Sequence, residues 1–151
     1  MVRAATVFLI ACVATAQAAE LPLDAFRRVV VPPAKTSIYI GTVTMTMPPF
    51  VRANGTYSTA YTAKVFPFFF YNEQGTLTIE MPDESLRKLE RGEPVDLKGV
   101  AVRTDGAQRR VEGRATPADA KSGKLKVRVF VSKRTELIFN TTYRFEGGSA
   151  R

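Results

Sequence analysis

From Lys124 to Val129 the chain alternates charged and aliphatic residues without a break, Lys-Leu-Lys-Val-Arg-Val. Successive side chains of an extended chain point to opposite faces, so this spacing sends the cations one way and the aliphatics the other. The same period of two recurs along most of the chain. Tyr57, Tyr61, Ala63 and Val65 share a face in residues 56–65, and Leu77, Ile79 and Met81 share one in residues 76–81. Leu137, Phe139, Tyr143 and Phe145 do so in residues 135–145. Residues 95–103 and 109–115 read as two strands joined at Asp105-Gly106, and Asn54-Gly55 stands just before residues 56–65. Both dipeptides favour the positive φ angles of tight type I′ hairpins.

Three stretches depart from plain alternation. In residues 37–47 the apolar parity changes at Gly41, from Ile38 and Ile40 to Val43, Met45 and Met47. A bulge or tight bend there keeps one face apolar. Residues 66–71 are apolar on both parities, which predicts a segment covered on both sides, and residues 72–75 read as a turn. Residues 83–91 read as a short helix: Asp83 can cap it, Leu86 and Leu89 make its apolar stripe, and Gly92 sits where a C′ glycine belongs. The expected fold is all-β: a single antiparallel β-sandwich or a small closed β-barrel of about eight strands, with this helix between its two halves. Residues 19–36 read as a lead-in in which Val29-Val30-Val31 can add an edge strand, residues 37–145 as the β domain, and residues 146–151 as a loose tail.

The first 18 residues read as an address. Met1-Val2-Arg3 is a positive start, Ala4 to Ala16 is small and apolar, and Ala16-Gln17-Ala18 is an A-x-A cleavage site. The expected location is therefore exported, periplasmic or extracellular, with cleavage after Ala18. Leu9-Ile10-Ala11-Cys12 also resembles the bacterial lipobox, which implies a lipid on Cys12. Cleavage after Ala18 removes that cysteine, the only one in the chain, leaving no disulfide, thiol nucleophile or cysteine metal site. No later apolar run approaches the roughly 20 residues of a membrane-spanning helix.

Catalytic signatures are sparse. With His 0 the chain has no His-based triad, His metal ligand or His pH switch. Ser85-Leu86-Arg87-Lys88 resembles the S-x-x-K motif of penicillin-recognising serine enzymes, but no S-D-N follows and Lys35-Thr36-Ser37, the nearest match to K-T-G, precedes it. Glu80, Glu112 and Glu136 fall on the polar parity of their strands, and no calcium loop or Gly-rich phosphate loop occurs. The expectation is a non-catalytic protein without metal or cofactor.

Charge offers the strongest functional lead. The chain carries 22 Lys+Arg against 14 Asp+Glu, a formal net charge of +8. Residues 82–151 hold 16 Lys+Arg against 10 Asp+Glu, so nearly all of the excess lies in the second half. Pairing its strands in order puts Arg110, Arg114, Lys124, Lys126, Arg128 and Arg144 on one polar face. Such a face attracts anionic glycan, lipopolysaccharide or lipid headgroups in a cell envelope. Nucleic acid is a poorer match, because Phe130 is the only aromatic interleaved with these cations.

The aromatic residues give a second lead. Phe66, Phe68, Phe69, Phe70 and Tyr71 crowd six positions, and Tyr57 and Tyr61 stand on the preceding strand. Tyr57, Tyr61, Phe68 and Phe70 are the expected lining of an apolar ligand cavity or partner patch. A third lead is Leu137-Ile138-Phe139-Asn140-Thr141-Thr142-Tyr143-Arg144-Phe145, which resembles the closing strand of bacterial outer-membrane β-barrels. That resemblance implies an eight-stranded integral barrel. The leading expectation is a binding or scaffolding domain acting through its basic face. The alternatives are a small carrier barrel for an apolar ligand and an outer-membrane barrel.

Overall fold

The computed structural model describes residues 20–147. The leader with Cys12, and residues 148–151 of the tail, lie outside the described residues. Ten strands are present among the described residues: β1 (Arg28–Val30), β2 (Ala34–Ile38), β3 (Gly41–Thr46), β4 (Phe50–Ala53), β5 (Thr56–Phe66), β6 (Glu73–Glu80), β7 (Val95–Arg103), β8 (Gln108–Pro117), β9 (Ser122–Phe130) and β10 (Glu136–Glu146). One α-helix, α1 (Asp83–Glu90), separates β6 from β7.

The strands form one closed antiparallel barrel rather than a sandwich. The ring runs β5-β4-β1-β10-β9-β8-β7-β6 and returns to β5, which makes eight staves. β3 continues β4 along the same edge of β5, and β2 continues β1. Proline explains why two staves arrive in pieces. Pro32-Pro33 separates β1 from β2, and Pro48-Pro49 separates β3 from β4; proline supplies no N–H for a ladder. β1 is no edge strand, since Val29 pairs with Phe145 on one side and with Phe50 on the other. It closes the ring, so part of the lead-in belongs to the barrel. β2 lies beside β10, but no ladder joins them among the described residues.

One departure from alternation resolves into a hairpin, and both dipeptide turn signals form hairpins as well. The parity change at Gly41 is a chain reversal: Ile38 pairs with Gly41 across a two-residue turn at Tyr39-Ile40. A Cβ at position 41 would run into the Phe66 carbonyl, so only glycine fits. Asn54-Gly55 turns with φ of 52° and 76°, the type I′ geometry its composition favours. Asp105-Gly106 also turns a hairpin, but in a longer loop in which Gly106 alone has positive φ.

The barrel is apolar inside and polar outside. Val43, Met45, Tyr57, Tyr61, Leu77, Leu97, Val111, Val129, Phe139 and Phe145 are all buried in one continuous core. The outward positions of β9 are Lys124, Lys126 and Arg128, all exposed. A lipid-facing barrel carries an apolar band on its outer surface, which these cations interrupt. No helix among the described residues is long and apolar enough to cross a membrane.

One end of the barrel is sealed. A 3-10 turn at Leu23–Phe26 and helix α1 lie across it, with Phe26, Leu86 and Leu89 fully buried. The Tyr57 hydroxyl donates to the Phe26 carbonyl, and the Phe26 and Phe145 rings meet edge to face at 5.0 Å. The N-terminal segment is strapped to α1, because the Leu21 N–H donates to the Glu90 carboxylate and Arg87 donates to the Leu21 carbonyl. Asp83 does not cap the helix. Pro82 holds the N-cap position, and the Asp83 carboxylate instead accepts from Arg52, which also donates to the Met81 carbonyl.

This seal makes a definite prediction. Leu86→Ala opens a void with no solvent access and is expected to cost about 2–4 kcal/mol. Tyr57→Phe removes only the hydroxyl and is expected to cost about 1 kcal/mol. Urea unfolding of both variants measures the difference.

Candidate functional site

The other end of the barrel is open. The turn at Tyr39-Ile40, the segment 67–72, the loop 104–107 and the loop 131–135 all gather there, because strands β2, β5, β7 and β9 end at it. Ile38, Val43, Ala63, Val65, Val131 and Leu137 wall a mouth of about 350 Å³. Tyr39, Ile40 and Tyr71 stand at its rim.

Charged residues lie at the mouth's floor. Arg109 lays its guanidinium on the Glu73 carboxylate, with Nε 3.0 Å from Oε1 and Nη2 2.9 Å from Oε2. Its Nη1 donates to the Val131 carbonyl at 2.8 Å, and the Tyr61 hydroxyl donates to Glu73 Oε1 at 2.7 Å. Arg103 approaches the same carboxylate at 3.8 Å. Burial alone would raise the Glu73 carboxyl. The hydrogen bonds from Arg109 and Tyr61 and the charges of Arg109 and Arg103 outweigh it and hold Glu73 below the usual carboxylate range. The Tyr61 hydroxyl moves the other way, raised by burial first and by its bond to Glu73 second.

Below this floor the interior holds a file of small apolar voids. A void of about 50 Å³ shares Ala63, Glu73, Arg109 and Leu137 with the mouth. The next, of about 70 Å³, shares Met45, Leu77, Val111 and Val129 with it, and a void of about 60 Å³ follows toward the sealed end. Tyr61 lines the first void and Tyr57 the last.

The expected ligand lining is therefore divided. Tyr57 and Tyr61 face inward and are buried, whereas Phe68 and Phe70 lie outside, at the mouth's edge. The segment 66–71 is not covered on both sides. β5 ends at Phe66, a cis peptide bond precedes Pro67, and Phe69–Tyr71 form a 3-10 turn whose side chains are exposed. The expected turn at 72–75 gives way to the start of β6 at Glu73.

Glu73 and Arg109 escaped the reading of the sequence, although a signal was there. Glu73 shares the inward parity of Leu77 on β6, and Arg109 that of Val111 on β8. A charge on an apolar parity at a strand's end marks a partner waiting across the barrel.

The six cations named from the sequence lie on adjacent strands, though they are not alike. Arg110, Arg114, Lys124, Lys126, Arg128 and Arg144 all point outward and are exposed on β8, β9 and β10. Arg114 faces Asp96 at 2.9 Å, Arg144 faces Glu146 at 2.8 Å, and Arg110 sits 3.4 Å from Glu112. Arg110 also lies over the Phe130 ring at 4.1 Å. Among the described residues Lys124, Lys126 and Arg128 have no ion-pair partner. Lys126 and Arg128 border a shallow outer groove of about 420 Å³ with Lys98, Arg114, Asp96 and Glu112. Among the described residues no cluster of side chains is arranged to hold a metal ion.

The floor network also sets a pH dependence. A carboxyl whose folded value is depressed contributes fully above its unfolded value of about 4.3, and the contribution fades as pH falls through the lower folded value. Glu73→Gln is expected to lower stability at pH 7 by about 2–3 kcal/mol, since Arg109 loses its counter-charge. It is also expected to flatten the loss of stability between about pH 5 and pH 3, without abolishing it, because the Glu90 carboxyl is depressed as well. Urea titrations across that range give both quantities.

The chain matches no family model, no curated protein and no solved structure, so its reading rests on this geometry.

Proposed function

We propose that this protein is a non-catalytic binding protein that takes a small apolar or amphipathic molecule into the open mouth of its barrel. One observation carries the reading: an apolar-walled mouth of about 350 Å³ opens over a fixed polar floor. Small-molecule sites are commonly about 300–1,000 Å³, mostly apolar, with a few polar groups that orient the ligand. Arg109 and Glu73 supply those groups, and the voids below give an apolar tail somewhere to go. The voids are individually far smaller than an acyl chain, so the mouth takes the ligand's body and the interior admits its end only by widening.

The test is direct. Protein purified from its native host is extracted with organic solvent, and the extract is analysed by mass spectrometry. The delipidated protein is then titrated with dodecanoate in competition with an environment-sensitive naphthalene sulfonate dye. A stoichiometric extracted lipid, or one-to-one displacement, is expected. Ala63→Leu fills the wall shared by the mouth and the first void and is expected to weaken binding at least tenfold, at a packing cost of about 1–3 kcal/mol. An empty extract together with no dodecanoate binding overturns the reading.

A second reading draws on the basic face. Lys124, Lys126 and Arg128 stand in a row without ion-pair partners among the described residues, which suits an elongated anionic polymer. The triple variant Lys124→Glu, Lys126→Glu, Arg128→Glu is expected to lose retention on heparin resin well beyond what its change in net charge produces elsewhere on the surface. Equal loss from three cations placed elsewhere removes this reading. Export to a cell envelope remains part of the proposal, supported by the leader-like pattern of residues 1–18.

A further inference from the structure

We infer that the aromatic tip beside the mouth docks the barrel, mouth first, onto an anionic lipid bilayer. Apolar side chains crowd the outside of this one end. Phe66 is 76% exposed, Phe69 75%, Phe70 65% and Tyr39 106%. Phe68 to Tyr71 form one cluster, in which the Phe68 and Phe70 rings are 5.7 Å apart, Phe69 and Phe70 6.0 Å, and Phe70 and Tyr71 4.6 Å, while Phe66 ends β5 just before it and Tyr39 stands with Tyr71 at the rim of the same mouth. The patch stays exposed although Asn72, beside it, is tied down, its side chain accepting from the Val65 N–H at 2.7 Å. Soluble proteins rarely leave a contiguous aromatic patch in water without a use for it.

The surrounding charge selects a bilayer over other occupants. The loop 131–135 borders the same mouth as Tyr71 and carries Lys133 and Arg134. Lys64 points outward two residues before Phe66. All three are exposed, and none has an ion-pair partner among the described residues. Aromatic rings flanked by unpaired cations match the two layers of a bilayer surface, acyl boundary and anionic headgroup. A second copy of this chain would bring the same cations face to face. Docked in this way, the mouth opens against the lipid.

The inference does not rest on the mouth holding a ligand, because it is tested on delipidated protein. The purified chain is sedimented with vesicles of phosphatidylglycerol and phosphatidylethanolamine, and with vesicles of phosphatidylcholine alone. Binding to the anionic vesicles that weakens with salt is expected. The double variant Phe69→Ser, Phe70→Ser is expected to reduce it at least about tenfold, the equivalent of losing one buried aromatic anchor. Both positions are exposed, so near-ultraviolet circular dichroism is expected to show an unchanged core. Lys133→Glu, Arg134→Glu is expected to weaken binding, whereas Lys124→Glu, Lys126→Glu, far along β9, is expected to matter less. Absence of vesicle binding overturns the inference, as does binding indifferent to the phenylalanine pair. A concentration-dependent dimer that the phenylalanine variant abolishes, with no vesicle binding, also overturns it and assigns the tip to a second copy.

Discussion

The barrel depends on the short ladder that closes it. Arg28, Val29 and Val30 pair with Glu146, Phe145 and Arg144, and through the other edge of β1 the ring reaches β4 and β5. Until that ladder forms, the inward faces of β5 and β10 have no common interior. Once it forms, Tyr57, Tyr143 and Phe145 are forced into one space, and Phe26 fills what remains between them. The pairing joins residues near the two ends of the described chain, so it carries a large loop-closure cost that only the assembled core repays. The strap from Leu21 to α1 sits beside this closure and holds its N-terminal side in place.

The two ends of the barrel are built from opposite materials. At the sealed end aromatic and leucine side chains are packed out of reach of solvent, and Arg52 donates to the Met81 carbonyl of the chain itself. At the open end the polar groups face a cavity, and the large apolar groups face solvent. This inversion argues that the mouth is not simply an unfinished core. The Glu73–Arg109 pair is neutral as a unit and held by three neighbouring groups, the Tyr61 hydroxyl, Arg103 and the Val131 carbonyl, so it gives the mouth a rigid floor rather than a net field. The field comes from outside, from the unpaired cations of β9 and of the rim.

Much of this was legible residue by residue. The inward faces of β5, β6, β9 and β10 follow from parity alone, as do the outward row of β9 and the turn at Asn54-Gly55, because each is a local property of a twisted strand. Helix α1 was legible from Leu86, Leu89 and Gly92, but its cap was not, since Asp83 is claimed by an arginine 31 positions earlier. The segment 66–71 misled because a run apolar on both parities reads the same whether it is covered or bare. Glu73 and Arg109 stand 36 positions apart on strands that are not paired with each other, so their meeting is a property of closure and curvature that no local window contains. For the same reason Val29 and Val30 resembled an edge: nothing near them in sequence reveals β10 on their far side.

The unladdered boundary between β2 and β10 has a consequence for the compliance of the whole molecule. Elsewhere the staves are stitched by backbone hydrogen bonds, and separating any two of them breaks several at once. Along Ala34–Ile38 the wall lies beside β10 with no ladder between them among the described residues. Swinging β2 away from β10 therefore breaks no ladder between those two among the described residues, while the five-pair ladder from Thr42–Phe66 to Thr46–Thr62 holds β3 to β5 as the line about which the flap would turn. The barrel is stiff in hoop tension at its base and soft at its rim. A change of bore near the mouth therefore costs fewer backbone hydrogen bonds than the same change at the base, as in a collet slit at one end only.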